Sequence, residues 1–378
     1  MSLRTVRYWE YEGTSKEWRL DETAFVDVNL VVGKNATGKS RLLSVVGTFC
    51  RLLAGGITGP LQSGRLEFEI VLTDHTYLVM IEFAQNEVKF ESVDVDGVNK
   101  LTRTESGKGK IYYAERDEYI DFEVQKANLA IQQRRDSLQH PYIVELANWA
   151  SGTLQLLFAS SFNKENVTAL TQVQAGLTHR ISRPDQLDLV VAYTNAFEKY
   201  REDFDAAIVD DMRYLGFPIS EVHCMDIRSE VPGLNLPEPT LGMFVKEDDR
   251  GGTNLSQLFM SQGMFRALSL VIHLNIASLE KTGNLLLIDD IGEGLDYERS
   301  NKLIDVVIKR AKGSNLQLIM TSNDRFVMNR VPLEFWVLLQ RTGGNVHAYT
   351  ERNAAEFFKK FKFTGLSNFD FFASNSLH

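Results

Sequence analysis

The run Leu30 to Leu43, LVVGKNATGKSRLL, constrains this chain more than any other stretch. An apolar strand leads into a glycine-containing turn, and the turn opens directly into an apolar helix. Gly33-Lys34-Asn35-Ala36-Thr37-Gly38-Lys39-Ser40 fits the spacing G-x-x-x-x-G-K-[ST]. Small residues let successive backbone N–H groups turn inward around phosphate. The helix that follows points its positive end at the same place. In such a loop Lys39 reaches the β- and γ-phosphates and the Ser40 hydroxyl binds Mg²⁺. The mechanism requires strand, loop and helix in that order, and the sequence supplies them so.

A Mg-nucleotide site needs a second acidic contribution from a neighbouring strand. NLLLIDD, 284–290, provides it. Its apolar run suits a strand buried on both faces. Asp289 at the carboxyl end is expected to hold the metal, and Asp290 to polarise the attacking water. Just upstream, Ser261-Gln262-Gly263-Met264 runs straight into another helix, a second place where backbone N–H groups meet an anion. One chain does not need two such helix ends for one ATP. Two chains facing each other do.

The rest of the chain supplies the scaffold. Residues 5–32 read as short strands around a turn. RLEFEIVLTDHTYLVMIEFAQNEVKFESVDVDG alternates polar and apolar residues, the period-two signature of an antiparallel sheet, and SGKGKIYYAERDEYIDFEV continues it. From about 127 to 216 apolar residues recur at three and four, as in helices. Beyond 255, helices and apolar strands alternate, as in a parallel sheet covered on both faces. The expected divisions are 1–126 (first half of the head, with the phosphate loop and antiparallel sheet), 127–216 (helical insertion), 217–350 (second half) and 351–378 (aromatic tail).

Charge and composition narrow the class further. A formal charge of −9 argues against a uniformly basic nucleic-acid coat, although a local basic stripe would suffice to bind phosphate. No apolar run approaches the ~20 residues that cross a bilayer, and the N-terminus lacks the apolar core of a signal peptide. The two cysteines, Cys50 and Cys224, do not form a disulfide framework. The expectation is a soluble, cytoplasmic protein with no membrane partner.

The loop at 33–40, MSQGM at 260–264, LLLIDD at 285–290 and GLD at 294–296 together resemble the ABC ATPase superfamily, in its order of motifs. The asparagine in GKNATGKS is similar to the SMC-like branch, and the compact layout resembles prokaryotic ATPases related to the OLD family. The fold implied is α/β: an ABC-type P-loop head with a mostly parallel sheet flanked by helices, an antiparallel β subdomain and a helical insertion. The cofactors implied are ATP and Mg²⁺. The resemblance assigns nucleotide contacts to Gly33, Asn35, Ala36, Thr37, Gly38, Lys39, Ser40 and Arg41, and metal contacts to Ser40 and Asp289. Ser261 and Gly263 would serve the ATP of an opposite head, and Asp296 would be the D-loop residue. Asp290 stands where the catalytic glutamate usually is, and Asn323 where the switch histidine usually is. Gln125, Gln132 and Gln133 remain candidates for the Q-loop.

Three departures bear on turnover. Ala36 replaces a usual glycine, Asp290 is one methylene shorter than glutamate, and Asn323 cannot carry a proton as histidine can. Slow or partner-stimulated hydrolysis is expected. The resemblance implies a homodimer or higher homo-oligomer joined through ATP, acting as a switch on a separate effector, a nuclease or toxin, in anti-phage defence. A scaffold that holds ATP with little turnover, and a DNA-engaging repair-type head, are the alternatives. Two further stretches invite a functional reading. QQRRDS, 132–137, would face DNA or phosphate, against a solvated helix face. Seven phenylalanines between Phe357 and Phe372 would form a docking surface, against simple burial of the rings.

Overall fold

The computed structural model describes residues 1–57, 63–157, 164–178, 188–229, 239–280, 285–362 and 367–373. Strands β1 (Ser2–Glu10), β2 (Trp18–Ala24) and β3 (Val28–Val32) precede the phosphate loop, and α1 (Lys39–Ala54) follows it. An antiparallel run comes next: β4 (Ser63–Leu72), β5 (His75–Ala84), β6 (Glu87–Val95), β7 (Val98–Thr104), β8 (Lys108–Tyr113) and β9 (Glu118–Glu123). Then come α2 (Ala130–Gln133), α3 (Pro141–Ser151), β10 (Thr153–Leu157), β11 (Thr168–Ala169), α4 (Leu170–Thr178) and α5 (Leu189–Tyr214). A small sheet follows with β12 (Ile219–Asp226), β13 (Thr240–Glu247) and β14 (Thr253–Ser256). The second half of the head holds α6 (Gln262–Glu280), β15 (Leu285–Asp289), α7 (Tyr297–Gly313), β16 (Gln317–Thr321), α8 (Arg325–Arg330), β17 (Trp336–Thr342) and β18 (Asn345–Tyr349), with α9 (Ala355–Lys362) and α10 (Asn368–Ala373) at the end.

One sheet runs in the order β10-β15-β16-β3-β17-β18-β2-β1-β4-β5-β6-β7-β8-β9. The pairs from β10 through β17 are parallel, and β1 with β4 to β9 forms the antiparallel wing. The strands next to the phosphate loop are buried on both faces, which explains their continuous apolar runs. Leu286 and Ile288 of β15 pack with α6 and α7 on one side, while Leu285 and Leu287 pack with α1 and α3 on the other. Val31 of β3 and its neighbours Leu30 and Val32 divide in the same way. The carboxyl ends of β3 and β15 therefore emerge side by side across β16 with their backbones fixed by a core.

The helical expectation for 127–216 needs correction beyond the two-residue strand β11. Thr153–Leu157 is a strand, paired in parallel with β15 from Thr153↔Leu285 to Leu157↔Asp289. A short apolar run has no period that separates a buried strand from a buried helix. Helix α5 is also interrupted: Arg201 has φ 53° and ψ −131°. Tyr193 donates its hydroxyl to Asp205 at 2.8 Å across that break. In a continuous helix these residues would stand about 18 Å apart along the axis, so α5 is two arms folded back on each other.

In QQRRDS, Gln133, Asp136 and Ser137 are exposed, whereas Gln132 and Arg135 are turned towards α1. Gln132 Nε2 donates to the carbonyls of Leu52 (2.7 Å) and Ile57 (2.9 Å), and Arg135 donates to those of Leu53 and Ala54. These side chains satisfy the carbonyls left open at the carboxyl end of α1. Gln132 therefore lies at the end of α1 remote from Lys39. In the tail, Phe358 is fully buried, and Phe357, Phe369 and Phe372 pack against the core around α8. Phe363 lies outside the described residues.

Candidate functional site

The loop between β3 and α1 is tight. A Cβ on Gly33 would come within 2.5 Å of Thr37 Oγ1 and 2.9 Å of the Leu339 carbonyl. Gly38 has φ 108°, and a Cβ there would lie 2.8 Å from a ring carbon of Trp18. Ala36 also adopts a left-handed backbone, φ 64°. Alternating left-handed residues of this kind turn backbone N–H groups into a concave anion nest. Thr37 closes the turn, its N–H and hydroxyl both donating to the Lys34 carbonyl at 3.2 and 2.8 Å. Asn35 is exposed.

Lys39 is buried at 6% exposure, and its ammonium donates to the Gly33 carbonyl at 2.8 Å and the Lys34 carbonyl at 3.4 Å. Burial lowers its proton affinity, while Asp290 and Asp289 pull it back up. Ser40 projects from the first turn of α1 towards β15, with Oγ 3.1 Å from Asp289 Oδ1. An ammonium, a hydroxyl and two carboxylates thus meet where the nest opens.

The acidic side is organised by a residue with no signature of its own in the sequence. Thr321, at the end of β16, donates its hydroxyl to Asp289 Oδ1 at 2.6 Å and accepts from the Asp290 N–H at 2.8 Å. Asp290 sits just past β15 with φ 53°. Asn323 Nδ2 lies 3.2 Å from Asp290 Oδ1. The Asp290 carboxyl is held above its ordinary range, first by burial, then by Asp289 and Glu293, with Lys39 opposing. A half-buried carboxylate with raised proton affinity beside an exposed amide suits a group that accepts a proton.

Ser261, Gly263 and Asp296 form a second cluster. Ser261 precedes α6, and its hydroxyl accepts from the Met264 N–H at 3.2 Å. A Cβ on Gly263 would lie 2.6 Å from the Gly294 carbonyl, so the start of α6 rests against the 292–296 loop. Arg266 donates to the Glu293 carbonyl at 3.0 Å. Asp296 caps α7, accepting from the Arg299 N–H and guanidinium. Arg299 also donates to the Gly216 carbonyl and lies over the Phe217 ring. No hydrogen bond joins this second cluster to Lys39 or Ser40 within one chain among the described residues.

These residues fit a nucleotide and Mg²⁺. The crowded glycines leave room for backbone but not for side chains, as close approach to phosphate requires. The donors near Ser40 are all oxygens, the set a small hard cation takes. Among the described residues no cluster of three or more His, Cys, Asp or Glu forms a metal cage. Mg²⁺ held by one or two carboxylates and phosphate oxygens does not need one.

Solved structures of SMC heads are similar to this chain. The "SmcHead bound to the C-winged helix domain of ScpA" matches with a TM-score of 0.55 at 12% identity, over 92% of this chain and 98% of that one. The "Smc head domain with an extended coiled coil bound to the C-terminal domain of ScpA" from Pyrococcus furiosus matches at 0.49 and 12%, over 96% and 100%. The "SMC head domain from Thermotoga maritima" matches at 0.47 and 12%, over 93% and 99%. No curated protein sequence matches. The first of these similarities shows an SMC-head-like P-loop fold, and no described helix is long and apolar enough to cross a membrane. A family model covers residues 28–329, which include every site residue discussed above, and the chain belongs to the family it describes: "AAA domain, putative AbiEii toxin, Type IV TA system".

Proposed function

We propose that this protein is an ATP-binding and hydrolysing switch in which two chains close around nucleotide and thereby regulate a separate effector, a nuclease or toxin, in anti-phage defence. The observation that carries the reading is the division of the site. Lys39, Ser40, Asp289 and Asp290 converge in one place, while Ser261 and Gly263 belong to a different cluster built on the 292–296 loop. A γ-phosphate bound by the first cluster of one chain and the second of another would join the two.

In this reading Gly33 to Ser40 wrap the phosphates, Arg41 meets the nucleotide beyond them, and Lys39 exchanges its loop carbonyls for β- and γ-phosphate oxygens. Ser40 and Asp289 would hold Mg²⁺, which neutralises charge developing on the phosphates. Thr321 fixes the Asp289 carboxylate and the Asp290 backbone together. Asp290 accepts the proton of the attacking water, and Asn323 orients Asp290. Loss of the γ-phosphate removes the contacts shared between chains and lets them part. The link Asp296–Arg299–Gly216 would carry that motion into α5. Single-turnover phosphate release tests the chemistry: it should collapse in Lys39→Ala and Asp290→Asn.

A second reading is favoured by the Asp290–Asn323 pair. A short carboxylate engaged by an amide that carries no proton suits slow turnover, and an ATP-loaded oligomer could then serve as a scaffold holding an inactive effector. Phosphate release no faster than background, with ATP still bound, would select it. Salt-sensitive DNA binding strengthened by ATP would instead select a repair-type head.

A further inference from the structure

Ser40 and Arg41 are neighbours in α1 but point about 100° apart, as successive helical residues do. Ser40 turns to Asp289 and the metal side. Arg41 turns to the β1–β2 hairpin, where its guanidinium lies over the Trp18 ring, 4.5 Å from the centroid, and pairs with Glu10. Glu10 is itself fixed by the Tyr8 hydroxyl at 2.7 Å. Trp18 is 1% exposed, but the Arg41 side chain is 41% exposed, so one face of the guanidinium is backed by indole and the other is open.

A second guanidinium stands nearby. Arg341, at the end of β17, donates to the Ala36 carbonyl at 3.2 Å and to the Gly343 carbonyl at 2.8 Å. It has no carboxylate partner among the described residues. Burial lowers the proton affinity of Arg41; Tyr8 opposes this, and the like charge of Arg341 adds to it. Two cations are thus held on one flank of the loop against the single carboxylate of Glu10. Two guanidinium groups against one carboxylate leave this flank net positive, and an exposed guanidinium face suits an anionic or π-rich ligand.

We propose that Arg41, backed by Trp18 and anchored by Glu10, is the platform on which the purine base of the bound nucleotide stacks, with Arg341 beside it over the phosphate-to-ribose end. The inference rests on the nucleotide reading of the loop. Lys39 and Ser40 serve the terminal phosphates and the metal, so the base leaves the nest on the flank that Arg41 occupies. A planar guanidinium stacks on a heterocycle, whereas an ammonium does not present a plane. Arg41→Lys therefore removes the platform and keeps the charge.

The test is calorimetric binding of ATP and of inorganic tripolyphosphate to the full chain and to Arg41→Lys. Affinity for ATP should fall roughly tenfold, the scale of one lost base stack, while tripolyphosphate binding stays within about twofold and reports that the nest is intact. Glu10→Gln, which loosens the anchor without removing the guanidinium, should weaken ATP in the same sense and leave tripolyphosphate alone. Equal losses for both ligands would overturn the proposal, because Arg41 would then act only as a phosphate charge. Unchanged affinity for both would overturn it as well. Failure of the wild-type chain to bind either ligand would instead defeat the nucleotide reading itself.

Discussion

Asn323 directs its side-chain amide at Asp290, with Nδ2 3.2 Å from Oδ1. The amide donates to the charged form of the carboxyl and so favours it. Removing the donor in Asn323→Ala should raise the proton affinity of Asp290 further above its ordinary range. The acid limb of the hydrolysis profile should then move to higher pH, and phosphate release should slow by about tenfold, the scale of one general-base contribution. A pH–rate profile of the variant checks this. An unshifted acid limb would mean that Asn323 does not act through Asp290.

Asp290 also affects stability, with a sign that can be worked out. Its folded-state proton affinity is raised by burial, then by Asp289 and Glu293. Such a group contributes stability below the ordinary aspartate pKa and loses it as pH rises through the raised value. At neutral pH the ionised carboxylate is therefore a cost. Asp290→Asn removes that cost and tolerates φ 53° as well as aspartate does. The melting temperature of the nucleotide-free variant should exceed wild type at pH 7, with the difference shrinking as pH falls towards 4.

Ala36 holds φ 64° where glycine would be unstrained. Ala36→Gly should stabilise the protein by about 1 kcal/mol, offset in part by the added freedom of the unfolded chain. Chemical denaturation of the two chains side by side reads the difference. Destabilisation would mean that the alanine methyl makes contacts worth more than the strain.

Gly263 packs against the Gly294 carbonyl at a distance that leaves no space for a methyl group. Gly263→Ala should displace the start of α6 from the 292–296 loop and cost about 2 kcal/mol, in the range of overpacked sites. If Ser261 serves a partner chain, the same variant should bind ATP with near wild-type affinity yet fail to dimerise. Loss of ATP binding together with dimerisation would place the start of α6 in the chain's own site instead.

The elements of the candidate site are legible because each has a local signature. The spacing from Gly33 to Ser40 dictates its own backbone, and the apolar run ending in Asp289 has few alternatives to a buried strand. What escaped was long-range or ambiguous in period. Thr153–Leu157 looks the same as a helical segment until β15 lies beside it. The helical spacing of 189–214 persists through Arg201, where the chain folds back. Thr321 is one hydroxyl after an apolar strand, and only its position between Asp289 and Asp290 gives it meaning. Gln132 and Arg135 read as surface residues because nothing in their neighbours reveals the open carbonyls at the end of α1. Trp18 and Arg41 lie 23 residues apart and meet only through the β1–β2 hairpin.

The central claim is that ATP joins two chains through Lys39 of one and Ser261 of the other. Solution mass by light scattering tests it most directly, on Asp290→Asn with and without Mg-ATP, and with Ser261→Arg added as the control. Mass should double with Mg-ATP and stay monomeric when Ser261 is replaced. A mass that is already doubled without ATP, and indifferent to Ser261→Arg, would contradict the claim and place the assembly surface elsewhere.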